Sequence, residues 1–211
     1  AADQRTHLNA PITHIVSTAD GKGYWLVAAD GGVFTYGDAP FYGSMGGSHL
    51  DAPVVDIAPT ADGKGYWLVA SDGGIFAYGD AGFHGSMGGK YLNEPVVGLA
   101  PDLATGGYWE VATDGGIFAF DAPFLGSMGG SHLNKPVNGM TATPDGGGYR
   151  LVASDGGLFS YGDAPFHGSM GGQPLVQPVV GMAEDATTSG YWEVASDGGI
   201  FAFDAPFYGS R

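Results

Sequence analysis

A single unit of 41 or 42 residues recurs five times along this chain, and that period constrains the fold more than any other feature. The aromatic of a Gly-Tyr block falls at Tyr24, Tyr66, Tyr108, Tyr149 and Tyr191, at intervals of 42, 42, 41 and 42 residues. A proline opens each copy, at Pro11, Pro53, Pro95, Pro136 and Pro178, always 13 residues before the tyrosine. A Gly-Ser pair follows at Gly43, Gly85, Gly126, Gly168 and Gly209. Repeats of this length are single supersecondary units that bury their apolar faces by stacking on neighbours.

Copy two shows the local reading. Pro53–Ala58 reads as strand A, Tyr66–Ala70 as strand B, Ile75–Tyr78 as strand C and Phe83–Met87 as strand D, with Gly- and Asp-rich turns between them. Asp72-Gly73-Gly74 is hairpin-turn chemistry. Strands B and C are apolar on both faces, so each sheet must be covered on both sides. Four short strands per unit of this length is the blade pattern of a propeller. The fold expected is therefore all-β, a five-bladed β-propeller with four antiparallel strands per blade in a closed ring. A lead segment (1–8) precedes one propeller (9–211), with blades at about 9–50, 51–92, 93–133, 134–175 and 176–211. The chain starts and stops at the same phase of the repeat, which predicts that its ends meet, with residues 1–8 free to pair at the outer edge.

The 40 glycines sit at fixed places between apolar runs and read as turns. With 22 acids against 7 bases the net charge is −15. That excludes nucleic acid as a partner, since phosphates need a basic surface, and disfavours anionic membranes. No apolar run is long enough for a transmembrane helix. Cysteine is absent, which selects no compartment. No signal peptide is visible, as expected if the mature chain was made.

The block Gly65-Tyr66-Trp67-Leu68-Val69-Ala70-Ser71-Asp72-Gly73-Gly74-Ile75-Phe76, and the block Asp38-Ala39-Pro40-Phe41-Tyr42-Gly43-Ser44-Met45-Gly46-Gly47, resemble repeats of actinobacterial surface and secreted proteins. That resemblance covers nearly the whole chain and implies a secreted or cell-surface setting. By architecture the chain also resembles tachylectin-2-type lectins, which implies binding of N-acetylated amino sugars between adjacent blades. The analogy is one of fold, because the sugar-contacting residues of that family have no counterpart here.

The copies differ in informative ways. Copies one, two and four carry Leu26, Leu68 and Leu151 on strand B and Tyr-Gly-Asp after strand C. Copies three and five carry Glu110 and Glu193, then Phe120-Asp121 and Phe203-Asp204, one glycine shorter. Either the glutamate contacts the reshaped C–D turn, or a two-blade segment was duplicated. One tryptophan position reads Trp25, Trp67, Trp109, Arg150, Trp192. An arginine there predicts a blade margin, with the guanidinium in water. These tryptophans are either sugar-stacking platforms or blade-to-blade packing.

One end of the ring, formed by B–C and D–A loops, gathers the candidate sugar site. It holds Asp30, Asp72, Asp114, Asp155 and Asp197, with His7, His49, Tyr91 and His132, and with Asn9, Asp51, Asn93 and Asn134. Carboxylate, imidazole or aromatic, and amide suit a sugar's hydroxyls and apolar face. The plainer reading of each Asp-Gly-Gly is turn formation. Pro174 and Val176 break the set in copy four's outgoing loop, so up to four sites are expected. The other end carries Asp38, Asp80, Asp121, Asp163 and Asp204, a set open to calcium or to hydrogen bonding of the turns. The position nearest the axis reads His14, Asp56, Gly98, Gly139 and Gly181, which suits crowding better than a pair of catalytic carboxylates.

The expected function is a secreted, multivalent, non-catalytic carbohydrate-binding module with no cofactor and no metal, whose partner is a glycan or cell-surface polysaccharide. The alternative is a structural or protein-interaction module of a surface assembly, and a glycoside hydrolase is a third reading.

Overall fold

The computed structural model describes residues 8–211. The described chain is all-β, and its strands form five antiparallel three-stranded sheets, each a meander from one repeat. The first sheet is β1 (Ile12–Ser17), β2 (Tyr24–Ala28) and β3 (Val33–Tyr36). The second is β4 (Val54–Pro59), β5 (Gly65–Ala70) and β6 (Ile75–Gly79), and the third β7 (Val96–Pro101), β8 (Tyr108–Ala112) and β9 (Ile117–Phe120). The fourth is β10 (Val137–Ala142), β11 (Gly148–Ala153) and β12 (Leu158–Gly162), and the fifth β13 (Val179–Glu184), β14 (Tyr191–Ala195) and β15 (Ile200–Phe203). Every first strand carries a register shift at the same place, as between Val54 and Asp56.

Two features correct the expected closed, four-stranded propeller. The fourth segment of each repeat does not pair as a strand. In copy two, Gly85 adopts φ 128°, a value that favours glycine and breaks a ladder. The segment instead leaves its sheet and crosses onto the next blade. The Tyr108 hydroxyl donates to the Gly85 carbonyl at 2.6 Å and accepts from the His84 amide at 3.1 Å. Its far end returns to its own blade, where the Met87 amide donates to the Gly73 carbonyl at 2.9 Å.

The stack is also open. First strands pack in chain order, β1 on β4, β4 on β7, β7 on β10 and β10 on β13, and among the described residues β13 meets no strand of the first sheet. The C-terminal segment stays on its own blade, the Arg211 amide donating to the Gly198 carbonyl at 3.2 Å, so no strand is lent to the first sheet. The end faces are correspondingly wet. Ile15 is 59% exposed, whereas Ile57 at the same position of the second blade is 2% exposed. The suggested edge pairing of residues 1–8 lies almost wholly outside the described residues.

The junctions between blades are the core. Tyr66, Tyr108, Tyr149 and Tyr191 are fully buried, each against the tryptophan or arginine of the blade before it. Each hydroxyl closes the same clamp on a glycine carbonyl, Gly43, Gly85, Gly126 or Gly168, at 2.6–2.7 Å. The indole of Trp25, Trp67, Trp109 and Trp192 donates from Nε1 to the carbonyl of Pro40, Gly82, Pro123 and Pro206 respectively.

Arg150 substitutes for that indole in a manner opposite to the blade-margin reading. It is fully buried, and its Nε donates to the Pro165 carbonyl at 3.1 Å, as the indoles do in their blades. The rest of the guanidinium donates to the Ser189 carbonyl at 3.0 Å, lies 5.0 Å over Tyr191 and pairs with Glu184 at 3.0 Å. Glu184 stands where the other blades have Ser17, Pro59, Pro101 and Ala142, so the two departures are complementary.

Two stability outcomes follow from these junctions, read by chemical denaturation. Tyr108→Phe is expected to cost about 1–2 kcal/mol, because the Gly85 carbonyl loses its donor. Glu184→Ala is expected to cost about 3 kcal/mol by stranding a buried guanidinium, and Arg150→Trp with Glu184→Ala is expected to recover most of it.

Candidate functional site

At the end formed by A–B and C–D loops a cleft recurs between neighbouring blades. Between the first and second it has a volume of about 470 Å³ and is lined by Thr18, Asp20, Trp25, Asp38, Pro40 and Asp62 among others. Between the second and third it is about 380 Å³, with Thr60, Asp62, Trp67, Asp80, His84 and Leu103 in its wall. Between the fourth and fifth it is about 260 Å³, lined by Thr143, Asp145, Asp163, Pro165, Glu184 and Ser189.

The A–B turn builds the polar wall. In Thr60-Ala61-Asp62-Gly63 the threonine hydroxyl lies 3.1 Å from both Asp62 Oδ1 and Asp80 Oδ1, and accepts from the Gly65 amide at 3.0 Å. The first blade repeats this with Thr18, Asp20, Asp38 and Gly23. Thr143 bridges in the same way to Asp163 in the fourth. Lys64 pairs with Asp62 at 2.7 Å, and its hydrogen bonds hold the Asp62 carboxyl down at about 2. Lys22 has the same effect on Asp20. These carboxylates are therefore ionised acceptors at neutral pH.

The third and fifth blades replace the threonine with Asp102 and Asp185, whose carboxylates hold Thr105, and Thr187 with Thr188. Asp121 and Asp204, one glycine short, take φ 49° and 51° and turn towards the preceding blade. Asp121 meets His84 at 2.7 Å and Asp204 meets His167 at 3.5 Å. Three metal-ligating side chains converge nowhere among the described residues, so the calcium reading of Asp38, Asp80, Asp121, Asp163 and Asp204 gains no support.

The proposed contact of Glu110 with the C–D turn is corrected by its placement. Glu110 reaches back to the preceding blade, so that a methyl added at Gly73 would lie 2.8 Å from its Oε2. Glu193 faces Gly156 in the same manner. In both of these blades the glutamate and the outward aspartate address the blade before. Neither carboxylate accepts a well-formed hydrogen bond, the Met87 and Met170 amides being the nearest donors. Burial pushes Glu110 up to about 8 and Glu193 up to about 7, with the Met87 and Met170 amides opposing it.

At the opposite end the predicted sugar set is only partly assembled. His132 and Asn134 meet Asp155 across a cleft of about 280 Å³, with Lys135 and Phe159 in its wall. Next to it Val176 and Gln177 line a second cleft of about 420 Å³ with Asp155 and Lys135, at the loop where the set was expected to fail. Elsewhere the residues are displayed singly. His49 and Asp51 lie 3.6 Å apart with both side chains in solvent. Tyr91, Asn9 and Asn93 are exposed, and His7 lies outside the described residues. Asp30, Asp72, Asp114, Asp155 and Asp197 each accept from the amide two residues on at 2.9–3.0 Å, which is the turn role.

Trp25, Trp67 and Trp109 are packed in the junctions, so only an edge of Trp25 and of Trp67 reaches a cleft, while Trp192 on the open fifth blade is half-buried. At the inner edge, Asp56 lies 3.2 Å from His14 and accepts from the Leu99 amide at 2.9 Å, tying three first strands together. Sequence reasoning missed Thr60, Asp62 and His84 as cleft residues. The recurrent Thr-x-Asp-Gly of Thr18–Gly21, Thr60–Gly63 and Thr143–Gly146 was the available signal. Neither a protein-family model nor a curated protein matches the sequence.

The buried glutamates make stability depend on pH. Below the ordinary glutamate value of 4.5 both the folded and unfolded chains hold the proton. Between 4.5 and about 8 only the folded chain keeps it on Glu110, so stability falls as pH rises through that window. Glu110→Gln is expected to flatten this slope and to raise stability at pH 8 by roughly 1–3 kcal/mol. Urea unfolding at pH 5 and pH 8 measures both.

Proposed function

We propose that the chain is a non-catalytic, multivalent carbohydrate-binding module that takes polyhydroxyl ligands in the clefts between neighbouring blades. The observation that carries this reading is recurrence: one cleft chemistry, threonine with paired carboxylates beside an apolar wall, appears at three junctions, between the first and second, second and third, and fourth and fifth blades. Ionised carboxylates accept from sugar hydroxyls, and the Leu103, Pro40 and Pro59 surfaces suit the C–H faces of a pyranose. Several weak equivalent sites on one rigid body raise avidity on a repeating polysaccharide. The acidic surface favours neutral or amino sugars over anionic ones. A secreted or surface location is part of the same proposal.

Two observations support a non-catalytic reading. Asp62, held at about 2, cannot protonate a leaving group near neutral pH. Glu110 and Glu193, the carboxyls pushed furthest up, are sealed in junctions away from solvent, while Glu184 and Asp56, also raised by burial, are engaged by Arg150 and by His14 with the Leu99 amide.

A glycan array at high protein density, followed by titration calorimetry with the best oligosaccharide, tests the reading. Ala19→Trp with Ala61→Trp fills two clefts without removing a hydrogen bond and is expected to lower apparent affinity at least tenfold. His132→Ala with Asn134→Ala empties the opposite cleft and is expected to leave binding unchanged. Reversal of that pattern moves the site to the other end. No glycan bound by the wild-type chain sinks the proposal and leaves the protein-interaction alternative.

A further inference from the structure

The four junctions share one set of contacts, and the two ends of the stack carry its unmatched halves. On the first blade, Tyr24 is 38% exposed and Tyr36 44%, whereas Tyr66, Tyr108, Tyr149 and Tyr191 are all fully buried. Tyr24 and Tyr36 stack on each other at 4.9 Å with no preceding blade between them and solvent. On the fifth blade, Tyr208 is 84% exposed and Val180 52%. Their equivalents Tyr42 and Val55 are packed against the following blade. A methyl added at Gly209 would meet nothing, whereas at Gly43, Gly85, Gly126 and Gly168 it would strike the ring of Tyr78, Phe120, Tyr161 and Phe203.

The ends also match in type. The residue before each trailing glycine depends on the blade that follows. His84 and His167 precede the blades whose Asp121 and Asp204 turn outward. Tyr42 and Leu125 precede the blades with an added glycine, packing against Gly79 and Gly162. Tyr208 is of the second kind, and the first blade, with Tyr36-Gly37-Asp38, is the kind it selects. At the first junction the Tyr42 hydroxyl also donates to the Gly63 carbonyl at 2.9 Å. Gly21 is the equivalent of Gly63 on the first blade, and its carbonyl is the counterpart acceptor for Tyr208.

We propose that the fifth blade of one chain docks on the first blade of a second copy, head to tail, by the same contacts that join blades within a chain. Tyr24 of one copy then clamps the Gly209 carbonyl of the next, and Tyr208 seats on Gly37. The contact is heterologous, so it generates rings or open chains of copies according to the rotation per step. The inference is independent of the carbohydrate reading, since the docking faces and the clefts are separate surfaces.

Sedimentation velocity over a wide concentration series of the 211-residue chain tests it. The wild-type chain is expected to show species heavier than a monomer whose share grows with concentration. Gly209→Ala adds a methyl that meets nothing in the single chain but strikes Tyr36 of the partner in the assembly, and is expected to weaken association at least tenfold. Its φ of 119° strains the terminal segment with or without a partner, so this weakening is read beside a second variant that leaves the backbone alone. Tyr208→His, an exposed change to the wrong junction type, is expected to act in the same direction. Circular dichroism checks that both variants keep the fold. A wild-type chain that stays monomeric throughout overturns the proposal, as does wild-type association by both folded variants.

Discussion

The structure depends on one polar contact placed inside an apolar junction. A buried tyrosine ring supplies area against the tryptophan of the previous blade, and its hydroxyl clamps a glycine carbonyl of the same blade at 2.6–2.7 Å. Flat apolar sheets stack in many registers, because burial is non-directional. The hydroxyl removes that freedom, since a buried carbonyl without a donor costs about 1–3 kcal/mol. This requirement also explains the three-stranded sheets. A fourth strand paired to the third would satisfy that carbonyl within its own sheet and leave the tyrosine unpartnered. The trailing segment therefore belongs to two blades, crossing to the next at its glycine and returning to its own at the methionine.

The junctions are similar in geometry and differ in chemistry. Between first and second blades the trailing residue is Tyr42 and the strand position facing back is Leu68. Between second and third these are His84 and Glu110. Between fourth and fifth the arginine and Glu184 add a buried ion pair to His167 and Glu193. Buried charges and carboxyls stabilise a junction less than apolar groups of the same shape. They do discriminate: a leucine-type blade placed after His84 has no outward aspartate to meet the imidazole. Identical repeats would stack in any order, so differences of this kind fix which blade follows which.

Much of the fold was legible in the sequence. The five copies, their phase, and strands A, B and C all came from the period and from Gly- and Asp-rich turns. Strand D and closure were misread for a common reason. Phe83–Met87 has strand-like composition, but ladder pairing depends on backbone φ at Gly85, which composition does not encode. Closure depends on whether a terminal segment reaches the opposite sheet, and matching sequence phase does not guarantee contact. Arg150 was misplaced because its partner Glu184 lies one repeat away and looked unremarkable alone. The clefts were missed because Thr60, Asp62 and Asp80 come together through a threonine hydroxyl that bridges two turns.

An open stack changes what the repeat can do. In a closed ring every blade face is consumed internally and only the two ends of the blades meet solvent. Here the ends still present the clefts, and among the described residues two blade faces remain uncovered as well. Those faces carry Ile15, Tyr24, Val180 and Tyr208 in solvent, large apolar groups on sheets whose every other copy is covered. The net charge of −15 opposes association at long range. It is screened beyond about 8 Å in physiological salt, while the apolar faces act at contact. Valency then has two sources, the junction clefts within a chain and the number of chains stacked. Both derive from the same tyrosine–glycine clamp, because the surface that orders blades in one chain is the surface left unmatched at its ends.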